Sequence, residues 1–509
     1  MSDLLFHNAR VLTMDPARPH AEALAVRAGR IVAAGDVEAA RAAIGRDAEL
    51  VDCAGGLLLP GFIDAHCHLL AYAASLLCID CTAARSIVEI QEAVRRQAQQ
   101  APAGQWVRAF GYEETRLAEG RHPDRYDVDA AAIDLPVRLI HRSGHASVLN
   151  SAAMRLVGID AATEEPHGAA IDRDLETGAP SGLLLGMEQT IEGAVPPLGY
   201  DELAAGTHEA CRRLLRAGIT CIQDATHTNG PAEWALFEQL IEDDAITIDV
   251  MLMEGIEHLG ELPERDASGR LRRGAVKIML HELGDEMSPD ETELARRVAE
   301  VHAAGRQVAI HAIGEQAIMS AAGAVEAALA AHPRDGHRHR IEHCGLLPEG
   351  MAGRLARLGV VVVSQPSFLY ERGDRYLALV PEEAQHTLYA FRTLREAGVA
   401  LAASSDAPVT RPEPLASVAA ASDRRAASGA AVAPQQAVDP SEALSWWTAG
   451  AAYAGFLESE RGALCPGLRA DLVLLPADAL ERSPEALREF SVERLWLSGR
   501  ELDPPSKPK

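Results

Sequence analysis

Short apolar runs separated by polar turns occupy both ends of the chain. The first runs span 4–6, 9–12, 23–26 and 30–33, with Asn8 and Gly29 at turn positions. Such runs are typical of β-hairpins. Two similar runs, 470–475 and 492–497, stand near the other end. Neither end has enough strands for a stable sheet, so we predict one small β-sandwich domain built from residues 1–60 and 459–509.

The region 61–458 has a different pattern, in which strand-like and helix-like segments alternate. Seven strand-like segments follow the one that ends at His66: 219–225, 247–253, 275–280, 307–312, 338–344, 360–365 and 399–405. Helical patterns such as 292–304 and 315–331 separate several of them. Alternation of this kind favours parallel α/β architecture. The count of eight strands predicts a (β/α)8 TIM-like barrel.

One connection is too long for a simple βα unit. About 150 residues separate the first strand from the second, whereas a crossover needs only a dozen or more. We therefore predict a large insertion after strand 1, at about 70–205, with elements of its own. The strand-like stretches 106–111 and 137–141 belong to it.

Composition and charge restrict the kinds of molecule that the protein can bind. The 509 residues are 48% hydrophobic, enough for a sizeable core, and carry 48 Lys and Arg against 74 Asp and Glu. The formal charge of −26 argues against nucleic acid or an anionic membrane as a partner. No apolar run approaches the roughly 20 residues of a membrane span, and the N-terminus lacks a secretory pattern. We expect a cytoplasmic enzyme acting on a small molecule.

His66 and His68 stand one residue apart at the end of the first barrel strand. Side chains alternate faces along a strand, so both imidazoles point the same way. Two imidazoles that project together can bind one metal ion. The pair therefore predicts a metal site and raises the question of where the remaining ligands lie.

Functional residues of such barrels stand at the C-terminal ends of strands. Lys277 lies on the fourth predicted strand, His311 ends the fifth, His343 ends the sixth and Asp406 follows the eighth. Each has an ordinary structural explanation, for example an ion-paired lysine or a helix-capping aspartate. Their occurrence together, at the correct ends of one strand series, favours a metal centre.

Eight motifs, spread over nearly the whole chain, resemble those of the amidohydrolase superfamily. They are PGFIDAHCH (60–68), HRSGHASVLNS (141–151), VKI (276–278), IHAIGEQA (310–317), HRIEHC (339–344), SQPSFLYERGDRY (364–376), SSDAPV (404–409) and PGLRADLVLL (466–475). Within the superfamily, the chain is similar to the long-insertion amidohydrolase 3 group. That group includes YtcJ-like metal-dependent hydrolases and N-substituted formamide deformylases.

The resemblance implies two divalent ions, most simply zinc, held by six side chains: His66, His68 and Asp406 on the more buried ion, His311 and His343 on the other, and Lys277 between them. An ammonium cannot ligate a cation, so Lys277 can contribute only as a carboxylated lysine; an ion pair is the alternative. The loop 280–286 departs from the Asp-Gly usual after this lysine. Glu282 in that loop is an alternative carboxylate ligand.

The implied reaction is attack of a metal-bound hydroxide on a carbonyl carbon. Asp406 accepts the proton of the water and passes it to the departing amine, as general base and then general acid. Asp64 and Glu342 are candidates to orient ligand histidines, with helix capping or surface charge as equal alternatives.

Three further residues are candidates for substrate binding. His145 in the insertion is a candidate to bind the substrate carbonyl or to stabilise the oxyanion, and a purely structural role is its alternative. Tyr370 and Arg372, which follow strand seven, are candidates to line the pocket.

Two other functions remain open. Deaminases of amino-heterocycles resembling this chain have H-x-x-E on strand five, whereas His311 and Glu315 stand one residue further apart. A non-catalytic amidohydrolase-like scaffold would lack metal ligands that this chain retains. We therefore favour hydrolysis of a C–N bond other than a peptide bond, in an amide, N-substituted formamide, cyclic amide or carbamate. Self-association is common among similar proteins, so a homo-oligomer stays open.

Overall fold

The computed structural model describes residues 3–102, 104–132, 134–166, 169–187, 190–191, 193–283 and 286–502. The chain divides into two compact units. One unit comprises Met1–His68 and Cys211–Lys509, and the other comprises Leu69–Ala210. Within the described residues, no helix is both long and apolar enough to cross a bilayer.

Eight parallel strands form the central sheet of the first unit. They are β1 (Phe62–Cys67), β2 (Ile219–Asp224), β3 (Asp249–Gly255), β4 (Leu271–Ile278), β5 (Val308–Ala312), β6 (Arg340–His343), β7 (Val361–Ser364) and β8 (Ala400–Ala403), and each pairs with the next. The predicted α/β barrel is confirmed. Strand β4 begins earlier than predicted because Arg272 and Arg273 interrupt its apolar pattern, and their guanidinium groups bond to Glu460 and the Leu262 carbonyl.

The first and last strands meet at their C-terminal ends. The Asp406 N–H donates to the His66 carbonyl over 2.8 Å, and the His68 N–H donates to the Ala407 carbonyl over 2.9 Å. These two bonds join the segments that follow β1 and β8. The sheet is thereby nearly closed, and the predicted ligands on its first and last strands become neighbours.

The helix Tyr200–Arg216 begins in the second unit and ends in the first. The other helices of the first unit are Val37–Ile44, Pro231–Glu242, Glu291–Ala303, Glu315–Ala331, Met351–Leu358, Ser367–Glu371, Gly373–Leu379, Phe391–Glu396, Pro414–Asp423, Pro440–Ser445, Ala451–Ala454 and Pro484–Leu487. The predicted helix 292–304 begins one residue earlier because Asp290 caps it, its carboxylate accepting the Glu293 N–H. A short hairpin, His281–Leu283 with Glu286–Ser288, follows β4.

Strands from both ends of the chain share one antiparallel sheet. Leu472–Leu475 pairs with Leu57–Pro60, and Arg494–Leu497 continues the sheet. The full six-stranded order is Arg500–Leu502, Arg494–Leu497, Leu472–Leu475, Leu57–Pro60, Arg10–Leu12 and His20–Ala21; a four-stranded sheet has the order Arg30–Gly35, Ala23–Arg27, Leu4–His7 and Glu49–Asp52. Phe6 and Trp496 meet edge to face in the core between these sheets. The domain limits at 60 and 459 stay a prediction, and residues 503–509 lie outside the described residues.

The unit Leu69–Ala210 has its own sheet and core. Its strand order is Ala170–Arg173, Pro180–Leu185, Ala146–Leu149, Val137–His141, Val107–Tyr112 and Ile79–Asp80. Its helices include Leu69–Leu76, Ile87–Ala98, Arg125–Asp129 and Ser151–Val157. Apolar side chains such as Val107, Leu139 and Val148 are buried between the sheet and its helices. The strand-like stretches expected here are strands, while the predicted limits of the insertion remain untested.

Candidate metal centre

Three side chains converge where β1 and β8 end. The His66 Nε2 lies 3.5 Å and the His68 Nε2 lies 3.2 Å from the Asp406 Oδ1. Ligands about 2.1 Å from a tetrahedral zinc ion are separated by about 3.4 Å, so these spacings fit a divalent ion between them. Ligand atoms of all three residues lie within 4.8 Å of one another. The nitrogen and carboxylate donors suit zinc or a similar ion.

Asp64 holds the ends of β1 and β8 together. Its Oδ1 accepts the backbone N–H groups of Ser405 (3.0 Å) and His66 (3.2 Å), and its Oδ2 accepts the Ser405 hydroxyl (2.5 Å). Burial raises the pKa of Asp64 to about 7, against the effect of these hydrogen bonds. Asp64 is wholly buried, so a surface charge is excluded. It binds the backbone of His66 rather than the ring.

Glu342 sets the orientation of the His66 ring. Its Oε2 lies 2.5 Å from the His66 Nδ1, and the Arg340 guanidinium bonds to both of its oxygens at 2.7 and 3.0 Å. A carboxylate can only accept, so the His66 Nδ1 carries the proton and the Nε2 lone pair faces Asp406. This is the usual partner of a metal-binding histidine. The orienting role proposed for Glu342 therefore fits its contacts, and Glu342 is fully buried.

The other ring nitrogen of His68 also has a partner. The His68 Nδ1 lies 3.0 Å from the Thr226 hydroxyl, just beyond the end of β2. The Thr226 N–H donates to Asp224, and the Asn229 amide donates to the same carboxylate oxygen. The loop after β2 therefore holds the hydroxyl against His68, with the His68 Nε2 facing Asp406.

His311 and His343 form a second pair beside the first site. The His343 Nε2 lies 2.9 Å from the His311 Nδ1, and the His343 ring centroid lies 5.0 Å from that of His66. The His343 Nδ1 contacts the Gln365 Oε1 at 2.8 Å. His343 occupies a left-handed backbone position, with φ of 72°, a conformation that costs about 1–3 kcal/mol and often marks functional sites.

Lys277 projects from β4 into the same buried region. Its side chain is 1% exposed. Burial lowers the pKa of Lys277 to about 8, although the charges of Glu342 and Asp406 favour the ammonium. A buried amine with a lowered pKa is more often neutral near pH 8 and can react with an electrophile.

The pKa values of His66 and Asp406 are shifted in the directions that cation binding requires. Burial lowers the pKa of His66 well below its usual value, with Lys277 contributing. Burial alone would raise the pKa of Asp406, but the hydrogen bond from His68 and the nearby histidines lower it overall. Neutral imidazoles and an ionised carboxylate are the forms that bind metals.

The Glu282 carboxylate contacts the backbone at the start of the helix that follows β5. Its Oε2 accepts the Gly314 N–H at 3.0 Å and its Oε1 accepts the Ala317 N–H at 3.1 Å. It therefore caps the helix Glu315–Ala331 that follows β5, where a carboxylate is favoured. These contacts favour a capping role, and the alternative of Glu282 as a metal ligand stays a prediction. Gly284 and Asp285 of the same loop lie outside the described residues.

The predicted substrate contacts stay predictions. His145 is exposed in the turn between Val137–His141 and Ala146–Leu149, in the unit Leu69–Ala210. In the other unit, the Tyr370 ring packs against the Arg488 guanidinium at 4.4 Å. The Arg372 guanidinium stands 5.1 Å from the Phe368 ring, which stacks beside His343.

An eight-stranded parallel barrel with histidines and a carboxylate converging at its strand ends is the architecture of metal-dependent hydrolases. The chain belongs to the amidohydrolase family, whose profile matches residues 49–503. Membership in this metal-dependent family supports a hydrolase acting on C–N bonds.

Similar proteins cover almost the whole chain. An N-substituted formamide deformylase of Arthrobacter pascens is 31% identical over 98% of both chains. The putative amidohydrolase YtcJ of Bacillus subtilis (strain 168) is 26% identical over 97% of this chain and 98% of its own length. An uncharacterized metal-dependent hydrolase from Pyrococcus horikoshii has a solved structure that is 25% identical, with a TM-score of 0.74, covering 96% of this chain and 99% of its own.

Sequence reasoning missed three side chains that contact the ligands or their partners. Thr226 and Gln365 bond to histidines that are predicted ligands, and Arg340 pairs with Glu342. Thr226 and Gln365 follow the ends of β2 and β7, so the rule about C-terminal strand ends could have marked them. Arg340 begins β6 inside the barrel, and its sequence position carries no such signal.

Proposed function

We propose that the protein hydrolyses a small amide-type C–N bond with two divalent ions, most simply zinc. The observation that carries the proposal is the convergence of the His66 and His68 Nε2 atoms on the Asp406 Oδ1. His311 and His343 would hold the second ion. The likeness to a formamide deformylase supports N-substituted formamides as the first substrates to test, with other amides, cyclic amides and carbamates after them.

Lys277 would join the two ions as its carbamate. Its neutral amine adds to carbon dioxide, forms an N–C bond and releases one proton, which leaves an anionic carboxylate. Burial supports this reaction because it lowers the pKa of Lys277 to about 8. The same burial disfavours an unmodified ammonium beside two cations.

When bound, a divalent ion lowers the pKa of a water molecule towards about 7 and polarises a carbonyl oxygen. Asp406 would accept the proton that the water gives up and return it to the nitrogen of the departing amine. The lowered pKa of Asp406 keeps its carboxylate ionised, which is the form that can accept a proton. Glu342 and Thr226 would keep His66 and His68 in place while the proton moves.

The Asp406→Asn variant tests the proposal. The asparagine keeps the side-chain shape but accepts no proton, so we expect turnover to fall by about 10²–10⁴-fold. Zinc-reconstituted wild type and variant are assayed against N-formyl amines, N-acyl amino acids, cyclic imides and aryl carbamates. Asp249→Asn, at an ion pair with Arg461 at the N-terminal end of β3, is the matched control. Undiminished turnover in Asp406→Asn at full metal content would contradict the mechanism.

A further inference from the structure

The acceptor that contacts His343 is unlike the one that contacts His66. The His66 Nδ1 faces the carboxylate of Glu342, whereas the His343 Nδ1 faces the neutral amide of Gln365 at 2.8 Å. Gln365 follows β7 directly and is wholly buried. Polar atoms in such a position bond to protein partners, so the partners of the Gln365 amide decide which of its ends meets the histidine.

A chain of hydrogen bonds fixes the direction of that amide. The Ser404 hydroxyl donates to the Ser364 carbonyl at 3.2 Å, and a carbonyl can only accept. The Ser404 Oγ therefore accepts the Gln365 Nε2–H at 2.9 Å. The Gln365 Oε1 is left facing the His343 Nδ1, which must carry a proton to bond to it. The lone pair of the His343 Nε2 then points towards His311.

Two further contacts hold His343 in place. The Ser364 hydroxyl donates to the His343 carbonyl at 2.7 Å, which secures the backbone where φ is 72°. The Phe368 ring stacks beside the His343 ring, with an interplanar angle of 16°. Both the tautomer and the plane of the imidazole are therefore set by residues at the ends of β7 and β8.

We propose that Gln365 is a positioning residue for the second metal ion, because it holds His343 in the tautomer whose Nε2 lone pair, which faces the His311 Nδ1, can ligate. This inference rests on the proposed function, in which His311 and His343 hold that ion. A carboxylate partner makes a ligand histidine more basic than an amide partner does. The second ion is therefore bound more weakly than the ion on His66, His68 and Asp406.

Competition between a chelator and the full-length protein, followed by metal analysis, tests the inference with zinc as the probe. Loss of an outer partner costs about 10–100-fold in metal affinity, so Gln365→Ala should lose that much at the weaker site alone. Gln365→Glu restores an acceptor, and the Ser404 hydroxyl can turn to donate to it, so weak-site affinity should return to at least the wild-type value. Gln436→Ala, which removes another buried glutamine bonded to Thr393, is the control for general destabilisation.

The outcomes separate the inference from the function beneath it. If the wild type binds two ions and Gln365→Ala leaves the zinc affinity of the weaker site unchanged, the inference is overturned but the proposed function is not. Equal loss at both sites, or a weak-site loss in Gln436→Ala of the same size, would assign Gln365 a merely structural role and overturn it too. A Gln365→Glu variant as weak as Gln365→Ala would also contradict it. Fewer than two ions in the wild type would overturn the two-ion centre and the inference together.

Discussion

Two histidine clusters stand at opposite ends of the barrel, and the partners of their ring nitrogens differ. At the C-terminal ends, the His66 and His68 Nε2 atoms face the Asp406 carboxylate. At the N-terminal ends, the His302 Nδ1 contacts the His339 Nε2 at 2.8 Å, and the His339 Nδ1 accepts the Val308 N–H at 3.0 Å.

Backbone groups complete the N-terminal cluster. The His302 Nε2 bonds to the His332 carbonyl, and the His337 ring bonds to the His339 N–H and the Leu358 carbonyl. Each of these three rings uses both nitrogens within the protein. The candidate metal site is therefore the cluster whose ring nitrogens converge on a carboxylate. The partners, and not the number of histidines, distinguish the two ends.

The largest expected effect is at the C-terminal ends of the strands, where the proposed metal ligands lie. Glu342→Gln removes the charged acceptor of His66 and leaves Arg340 buried without its counter-charge, so we expect a 10–100-fold loss of zinc affinity and about 3–5 kcal/mol of destabilisation. Glu254→Gln is the matched control, because Glu254 is also fully buried and pairs with Arg306 at 2.9 Å without contacting a ligand histidine. It should unfold more easily and keep its zinc affinity. Equal zinc affinities in the two variants would contradict the role assigned to Glu342 in holding His66.

A smaller effect is expected at the N-terminal end. His339→Phe removes the acceptor of the Val308 N–H and the partner of His302, so about 1–3 kcal/mol of stability is lost. Denaturant midpoints measure this change, and zinc analysis of the same sample should give the wild-type content. Zinc loss in the folded His339→Phe protein would mean that the two clusters are coupled.

The smallest expected effect, taken over a single pH unit, is a pH dependence that comes from the same cluster. Burial lowers the pKa of His339 to about 2, below the value of about 6.5 of an unfolded histidine. The folded protein thus binds fewer protons, so its stability is fully present above pH of about 6.5 and falls as the pH decreases towards about 2.

Midpoints measured with chelator present isolate this dependence from proton competition at the metal ligands. The wild type should lose up to about 1.4 kcal/mol per pH unit from this group, and His339→Phe should show a shallower decline. Parallel declines would show that another group is responsible.

The barrel could be predicted because each buried strand leaves a local apolar signal in the sequence. The six proposed ligands could be named because the strand ends restrict their positions, and five of them are histidine or aspartate in short motifs. The same local signal failed at β4, where Arg272 and Arg273 hide the start of the strand.

The partners of the ligands could not be predicted in the same way. Thr226 and Gln365 contact histidines that lie 158 and 22 residues away in sequence, and residue type alone does not show which atoms meet. Arg340 is only two residues from Glu342, but an arginine inside a strand carries no signal of that pairing. Glu282 shows the same difficulty, since a carboxylate near Lys277 in sequence accepts the N–H of Gly314, 32 residues further on at the start of a helix.

Zinc content of two double variants tests the central claim most directly. His66→Ala with His68→Ala removes two ligands from the metal end, and His337→Ala with His339→Ala removes the same atoms from the other end. After reconstitution and gel filtration, the first should lose the tightly bound ion and all C–N hydrolysis, while the folded second variant keeps both. Retention of the tightly bound ion by the first variant, or its loss only from the second, would contradict the assignment of the metal centre to the C-terminal ends of the strands.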